Sequence, residues 1–107
     1  MTTIEEKIVE FARKRRIQWR KHALIRMLQR GIYRQEVLSV IEKAEIIERY
    51  PEDKPFPSFL LFGKIRGGVP IHIVTSVDER DEMLWIITVY RSSSDRWQPH
   101  FKRRKEK

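Results

Sequence analysis

The first segment of the chain repeats apolar residues at helical spacing. Within residues 3–15, Ile4, Ile8 and Phe11 recur on one side of a helix. Thr3 precedes the run, where an N-cap residue is favoured, and acids come before bases along the segment. This order suits the helix dipole. The pattern predicts a first helix over 3–15.

Two further helical repeats follow, separated by a glycine. In HALIRMLQR the apolar residues gather on one side, while His22, Arg26 and Arg30 lie on the other. Gly31 can take the left-handed conformation that ends helices, so we predict the second helix from His22 to Gly31. Apolar spacing predicts a third helix over 34–44. The second and third helices, joined by the turn at Gly31, superficially resemble a helix-turn-helix.

Beyond the third helix, the spacing of the apolar residues changes to that of β-strands. EIIERY is a candidate short strand, and the proline-rich turn PEDKPFP follows it. Three runs rich in Ile, Val, Phe and Thr come next, over 58–65, 69–77 and 83–90. Their short links favour antiparallel neighbours. The chain is therefore predicted to be an α+β domain, with N-terminal helices on one face of a three- to four-stranded antiparallel sheet. The other face is expected to be open to solvent or a partner.

Charge narrows the class of partner. The chain has 107 residues, 23 Lys and Arg against 15 Asp and Glu, and a formal net charge of +8. This length fits one domain over 1–107, whose basic tail, about 98–107, is expected to be partly disordered. A balance this basic favours a polyanionic partner such as RNA, DNA or an acidic protein, although basic tails also serve solubility.

Several classes of site are not expected. There is no cysteine, and the three histidines are scattered, so we expect no metal site and no cofactor. The N-terminal residues lack the apolar core of a secretion signal, and no apolar run approaches the ~20 residues of a membrane span. A cytoplasmic protein that does not interact with membranes is the expectation.

Four stretches carry a family resemblance: HALIRMLQRGI, YPEDKPFPSFLLFGK, PIHIVTSVD and IITVYRSSSDRWQPHFKRR. They resemble a small bacterial family known only as a domain of unknown function, the 4258 type. Its members carry a His-Ala-x-x-Arg-Met-x-x-Arg-Gly-Ile block, a proline-bearing turn before a strand, a histidine-bearing strand and a Thr-Val-Tyr strand end. The resemblance covers the chain from about residue 17 to 104.

This family is similar in turn to the BrnT and RelE/ParE-like toxins, which are small and basic and place N-terminal helices on an antiparallel sheet. The resemblance implies a toxin-like ribonuclease, or a relative of one, encoded beside a cognate antitoxin. Its substrate would be RNA, ribosome-associated or free. Proteins of one fold can differ in function, so the activity depends on the residues of the site.

RNA cleavage without a metal needs a base, an acid and cations for the charge that develops on the phosphoryl oxygens. Imidazole suits proton transfer near neutral pH, and guanidinium suits phosphate. The family motif implies four catalytic residues: His22, Arg26, His72 and Tyr90. Their chemistry alone adds four candidates for phosphate or nucleic-acid binding: Arg30, Lys64, Arg91 and Tyr50.

Five of these candidates also have an ordinary structural interpretation, including Tyr90, which a strand end places as a rim residue. A histidine near a helix start bonds backbone or an acid, and Arg26 with Arg30 forms a solvated face or pairs with Glu36 or other acids of the third helix. His72 alternates with Ile71 and Ile73 along its strand. It faces the open side if those two residues face the helices, and it is a core histidine if the phase is reversed.

Three functions follow. The first is a toxin-type, metal-independent endoribonuclease, which requires His22, His72 and Tyr90 to share one cationic hollow. The second is a non-enzymatic basic module that binds RNA or an acidic partner protein. The third is a DNA-binding protein, ranked last because the third helix, RQEVLSVIEKAE, carries acids where a recognition helix needs donors. An open sheet face would also permit a homodimer.

Overall fold

The computed structural model describes residues 2–43 and 45–92, which contain three α-helices, five strands and one short 3-10 helix over Arg66–Gly68. In chain order the α-helices and strands are α1 (Ile4–Arg13), β1 (Ile17–Trp19), α2 (Lys21–Arg30), α3 (Arg34–Lys43), β2 (Ile46–Tyr50), β3 (Ser58–Ile65), β4 (Val69–Asp78) and β5 (Met83–Arg91). The α+β class is confirmed. The basic tail predicted over 98–107 lies outside the described residues.

The N-terminus of α1 is closed by a capping box. The Glu6 backbone N–H donates to Thr3 Oγ1 at 3.1 Å, and the Thr3 N–H donates to Glu6 Oε1 at 3.2 Å. Two helix-end donors are thereby satisfied by side chains that the sequence supplies three residues apart. The predicted N-cap is confirmed.

The turn between α2 and α3 depends on one left-handed residue. Gly31 has φ 65° and ψ 34°, and its N–H donates to the carbonyl of Leu28 at 3.3 Å. The next N–H, that of Ile32, donates to the carbonyl of Met27 at 2.9 Å. A side chain at position 31 would be strained, because L-residues rarely adopt this conformation.

The sheet order is β1-β5-β4-β3-β2. Strands β2 to β5 form the antiparallel meander that the short links predict. The prediction of three to four antiparallel strands misses β1, which pairs parallel with β5 through Ile17↔Leu84 and Trp19↔Ile86. The sheet is therefore mixed and has five strands.

The helices cover one face of this sheet and form the main core with it. Helix residues in this core include Ile8, Phe11, Ala23, Met27, Val37, Val40 and Ile41. Strand residues in it include Leu61, Ile71, Ile73, Leu84, Ile86 and Val89. Fully burying each large apolar side chain stabilises the fold by about 1.5–3 kcal/mol, so the covered face is fixed by this set.

The second face carries the alternate residues of the same strands. Its expected openness to solvent is wrong at one end, where Leu60, Phe62 and His72 are only 1%, 5% and 0% exposed. Helix α2 packs against β5, which lies between β1 and β4 in the sheet. The Arg20 N–H donates to the carbonyl of Ile86 at 3.0 Å.

Candidate functional site

A pocket of about 410 Å³ lies on the second face of the sheet. Its lining includes strand residues from β3, β4 and β5: Ser58, Val74, Ser76, Trp85 and Ile87. The rest of its lining comes from the β1–α2 junction and the loop after β2: Arg20, His22, Asp53, Lys54, Pro55 and Phe56. We call this site the Arg20 pocket. Its volume lies in the range of about 300–1,000 Å³ that is usual for small-ligand sites.

Arg20 and Trp85 form a stacked pair in the lining. The Arg20 Cζ lies 5.2 Å from the centroid of the Trp85 ring, which is cation–π geometry. Among the buried side-chain nitrogens and oxygens of residues 2–43 and 45–92, Trp85 Nε1 has no hydrogen-bond partner. Leaving such a donor unsatisfied costs about 1–3 kcal/mol, so an acceptor that reached it would be stabilised there.

The position of His22 follows from the start of α2. Arg20 is the N-cap residue, but its side chain makes no capping hydrogen bond, and the first turn of α2 carries no acid. The positive end of the helix dipole is therefore not neutralised by its own side chains. His22 is exposed and lies in this first turn, in the pocket lining. This arrangement favours an anion beside the imidazole.

The loop after β2 supplies the opposite side of the lining. It contributes Lys54, Phe56 and Asp53, and the peptide bond between Lys54 and Pro55 is cis. The Asp53 N–H donates to the carbonyl of Tyr50 at 3.2 Å, which anchors the loop to the end of β2. The pocket thus combines three basic side chains with one carboxylate and two aromatic rings.

Two serines on adjacent strands add polar groups. The hydroxyls of Ser58 and Ser76 are hydrogen-bonded at 2.9 Å, and both residues are buried. One hydroxyl donates within this pair, so the hydrogen of the other remains to be donated elsewhere. Both residues line the pocket. A ligand with oxygen acceptors fits this chemistry.

His72 does not join His22 in this pocket. Ile71 and Ile73 face the helices, so His72 lies on the second face as the first of the two phases predicts. Its ring is nevertheless fully buried, with centroids 5.8 Å from Phe62 and 5.3 Å from Tyr90. Ser92 Oγ lies 3.2 Å from the His72 Nδ1. The expectation that His22, His72 and Tyr90 share one cationic hollow is therefore corrected. The rings of Phe62 and Tyr90 pack against His72, and a phosphodiester cannot reach its imidazole.

Tyr90 and Lys64 lie at the His72 end of the second face. Tyr90 is half-buried and pairs directly with His72 across the strands, with its ring edge-on to the imidazole. Lys64 is exposed and lies opposite Pro70, two residues along β3 from Phe62. Neither residue lines the Arg20 pocket.

The other cations predicted on α2, Arg26 and Arg30, lie about one helical turn apart. Arg26 is exposed and Arg30 half-buried, and within the described part of the chain neither makes an ion pair. Arg91 Nη2 donates to the carbonyl of Arg30 at 3.0 Å, which joins the ends of β5 and α2. Glu36, the acid expected to pair with these arginines, instead accepts from Arg66.

Tyr50 ends β2 opposite Ser58, and its hydroxyl donates to Glu48. It therefore borders the pocket through its strand partner, but it is not part of the lining. Of the eight predicted site residues, the structure places His22 in the Arg20 pocket and distributes the others along the sheet and α2.

Sequence reasoning missed the strongest features of the pocket. Arg20 immediately precedes the predicted helix, and Trp85 alternates with Leu84 and Ile86, so its position on the second face was readable from strand phase. Lys54 lies in a loop whose path local patterns do not define. Only the tertiary fold brings these three residues together.

Outside the pocket, the pKa values of Glu5, Glu36 and Arg66 are shifted. A hydrogen bond from Arg49 lowers the pKa of Glu5. At Glu36, desolvation raises the pKa, but hydrogen bonds from Arg66 and from the Tyr33 N–H outweigh it, and the net pKa is lowered. The same ion pair raises the pKa of Arg66. These acids are engaged in structural pairs.

Within residues 2–43 and 45–92, no group of three or more histidine and carboxylate side chains is arranged to hold a metal ion. No helix in this part of the chain has the length and apolar character needed to cross a bilayer.

Comparison with known proteins places the chain in a family. A family model, described as a domain of unknown function (DUF4258), matches residues 19–91, which is most of the described chain. Searches of curated proteins and of solved structures returned no significant match. The matched residues begin in β1 and end in β5, and they include the whole lining of the Arg20 pocket. The chain therefore belongs to the DUF4258 family.

Proposed function

We propose that this chain is a metal-independent endoribonuclease of the toxin type that binds single-stranded RNA in the Arg20 pocket. The observation that carries this proposal is the grouping of Arg20, His22 and Lys54 with two aromatic rings in one pocket on the sheet. This combination supplies cations that bind phosphate, an imidazole that transfers protons and aromatic rings that stack on a nucleobase.

Binding is the first part of the proposal. The guanidinium of Arg20, the ammonium of Lys54 and the N-terminal end of α2 attract the phosphate. Trp85 and Phe56 offer ring faces for an unstacked base, a contact worth about 1–3 kcal/mol per base. The net charge of +8 favours the approach of a polyanion.

Proton transfer is the second part. The RNA 2′-oxygen attacks the neighbouring phosphorus as its proton passes to a base, and the bond from phosphorus to the 5′-oxygen breaks as that oxygen receives a proton. His22 supplies one of these two groups, and the Asp53 carboxylate on the same pocket is the candidate for the other. Arg20 and Lys54 stabilise the charge on the phosphoryl oxygens. The products are a 2′,3′-cyclic phosphate and a 5′-hydroxyl end.

A cleavage assay tests the proposal. An unstructured RNA oligonucleotide labelled at its 5′ end is incubated with the protein in excess EDTA, and products are separated by electrophoresis. We expect His22→Ala to slow cleavage about 10²-fold or more, the usual contribution of a general acid or base. Gln29→Ala, an exposed neutral change on the same helix, is the matched control and should leave the rate unchanged.

Binding is measured separately by fluorescence anisotropy. Arg20→Ala should weaken RNA binding and reduce its salt dependence, because one phosphate contact is lost. Arg13→Ala removes the same charge from an exposed position on α1, away from the pocket, and should have little effect. Equal weakening by both variants would contradict a localised site.

The second candidate is a non-enzymatic module that binds RNA through the same pocket. The full burial of His72 favours it, because the pocket then contains a single imidazole. Salt-sensitive binding that depends on Arg20, without EDTA-resistant cleavage by the wild-type protein, would establish this module and refute the enzyme.

The toxin assignment adds a partner, an acidic antitoxin encoded next to this chain. Co-expression with the product of a neighbouring reading frame tests this part. The two proteins should copurify, and the neighbour should suppress any growth defect that the chain causes. Expression of the wild-type chain without any effect on growth would argue against a toxin.

A further inference from the structure

A second surface, away from the Arg20 pocket, exposes apolar groups. The large apolar side chains that are exposed in the described part of the chain are Ile25 at 41%, Leu28 at 84% and Tyr33 at 60%. All three lie on α2 or in the turn that follows it. Single exposed apolar residues are common, but a cluster of them marks an interaction site.

The cluster borders a groove between α2 and the start of α3. This groove has a volume of about 320 Å³. Its lining is mostly apolar: Leu24, Met27, Leu28, Ile32, Tyr33 and Arg34. We call it the α2–α3 groove. None of these residues lines the Arg20 pocket, so the two surfaces are separate.

Contacts with Arg66, which lies between two strands of the sheet, stabilise the turn between α2 and α3 beside the groove. Arg66, in the turn between β3 and β4, donates to the carbonyl of Gly31 at 3.1 Å and to Glu36 Oε2 at 2.9 Å. Its guanidinium also lies 4.7 Å from the centroid of the Tyr33 ring. The apolar side chains are therefore presented on a fixed backbone, which reduces the entropy lost on binding.

The segment that forms the groove is basic. Residues 21–35, which include all of α2 and the following turn, contain four Lys and Arg residues and no Asp or Glu. Arg34 lies in the groove lining, and its guanidinium is 5.8 Å from the centroid of the Trp19 ring. Glu36, the nearest acid in sequence, is occupied by Arg66. An occupant with negative charges would therefore be complementary.

We propose that the α2–α3 groove docks an acidic amphipathic segment of a partner protein. Large apolar side chains of that segment would contact Leu28 and Tyr33, and its carboxylates would face the cations around the groove. A second copy of this chain is disfavoured by the net charge of +8 and by the local absence of acids. RNA is disfavoured because Leu28 and Ile25 are aliphatic, and one face of the single exposed ring in the cluster is already covered. That ring belongs to Tyr33, and the Arg66 guanidinium covers it.

Labelled synthetic peptides test the docking site. The first is an amphipathic helix of about 18 residues, five turns, with leucines along one side and glutamates along the other. The second keeps the glutamates but replaces the leucines with alanine, and the third replaces the glutamates with lysine. Binding to the full chain is measured by fluorescence anisotropy. The proposal requires the first peptide to bind at least about fivefold more tightly than each of the others, as expected for a buried anchor contact.

Leu28→Asp is the key variant, and its 84% exposure makes it harmless to the core. It should weaken binding of the first peptide about fivefold or more. Ser39→Asp adds the same charge at an exposed position on α3 and should change binding much less. Failure of the first peptide to bind, or equal weakening by both variants, would overturn the proposal.

Two further measurements separate the other occupants. Sedimentation velocity that shows a dimer lost in Leu28→Asp would identify a second copy and overturn the acidic-partner proposal. A loss of RNA affinity in Leu28→Asp would identify RNA as the occupant of the groove and would also overturn the acidic-partner proposal. The cleavage assay with His22→Ala tests the Arg20 pocket and does not involve this groove. The ribonuclease proposal and the docking proposal can therefore fail independently of each other.

Discussion

Gly63 is the position where a single added methyl group should reveal how closely α3 packs on the sheet. Gly63 lies within β3, and a Cβ built there would be 2.5 Å from Val40 Cγ1, 2.7 Å from Cγ2 and 3.1 Å from Cβ. Carbon atoms pack best at about 3.5–4.0 Å, so α3 and β3 must separate by about 1 Å. Rotating Val40 does not relieve the contact, because its Cβ and both methyl groups are all too close.

The magnitude of the Gly63→Ala effect follows from two opposing terms. Overpacking a close-packed core costs about 1–3 kcal/mol. Restricting the unfolded chain offsets about 0.4–1 kcal/mol of this cost, since alanine has fewer conformations than glycine. We expect a net loss of about 1–2 kcal/mol in the free energy of unfolding. In a domain near 100 residues, each 1 kcal/mol lowers the Tm by about 4–8 °C.

A double-mutant cycle measured by urea unfolding isolates this contact. Val40→Ala alone should cost about 2 kcal/mol, because Val40 is 1% exposed and its removal leaves a cavity. In Gly63→Ala/Val40→Ala the new methyl group occupies that space, so the pair should be more stable than the sum of the single effects by about 1 kcal/mol. Lys64→Ala, an exposed change on the same strand, is the control. Additive effects, or Gly63→Ala as stable as the wild type, would refute the proposed packing.

Two further predictions concern charged and polar groups. Because the folded pKa of Glu36 is lowered, its hydrogen bonds stabilise the fold above its usual pKa of 4.5 and are lost as the pH falls through the folded pKa. Glu36→Gln should therefore lower the free energy of unfolding at pH 7 by about 1 kcal/mol, with the difference vanishing in acid, and an unchanged difference at low pH would contradict this. His72→Ala should cost about 2–4 kcal/mol, since a buried ring is removed, yet RNA cleavage per folded molecule should persist. A stable His72→Ala protein without cleavage would restore His72 to a catalytic role.

Most of the fold could be predicted because its elements have strong local periods. The helix at 34–43 and the strand at 58–65 have the expected positions to within one residue. Gly31 ends α2 as expected, since its conformation is a property of one residue type. Such features need no knowledge of distant contacts.

Strand β1 could not be predicted in the same way. It has only three residues, Ile17–Trp19, and its pairing partner is β5, at the far end of the described sequence. A period of two cannot be recognised over three residues. The strand forms because β5 provides unpaired backbone groups for it, and this contact exists only in the tertiary structure.

The candidate site was predictable in part for a related reason. His22 and the phase of His72 were readable from helical and strand spacing. The burial of His72 depends on Phe62 and Tyr90, which flank it on neighbouring strands. Arg20 reaches the pocket because the parallel pairing of β1 with β5 places it against Trp85. Local patterns specify none of these neighbours.

The parallel pairing of β1 with β5 has a consequence for biosynthesis. Residues 17–19 leave the ribosome well before their pairing partners at 84–86, because most of the helices and strands lie between them in the sequence. The hydrogen bond from Arg20 to Ile86 and the stack on Trp85 can form only after that delay. The pocket is therefore incomplete in the nascent chain, and any ligand binding that depends on Arg20 and Trp85 is withheld until residues 84–86 have been made.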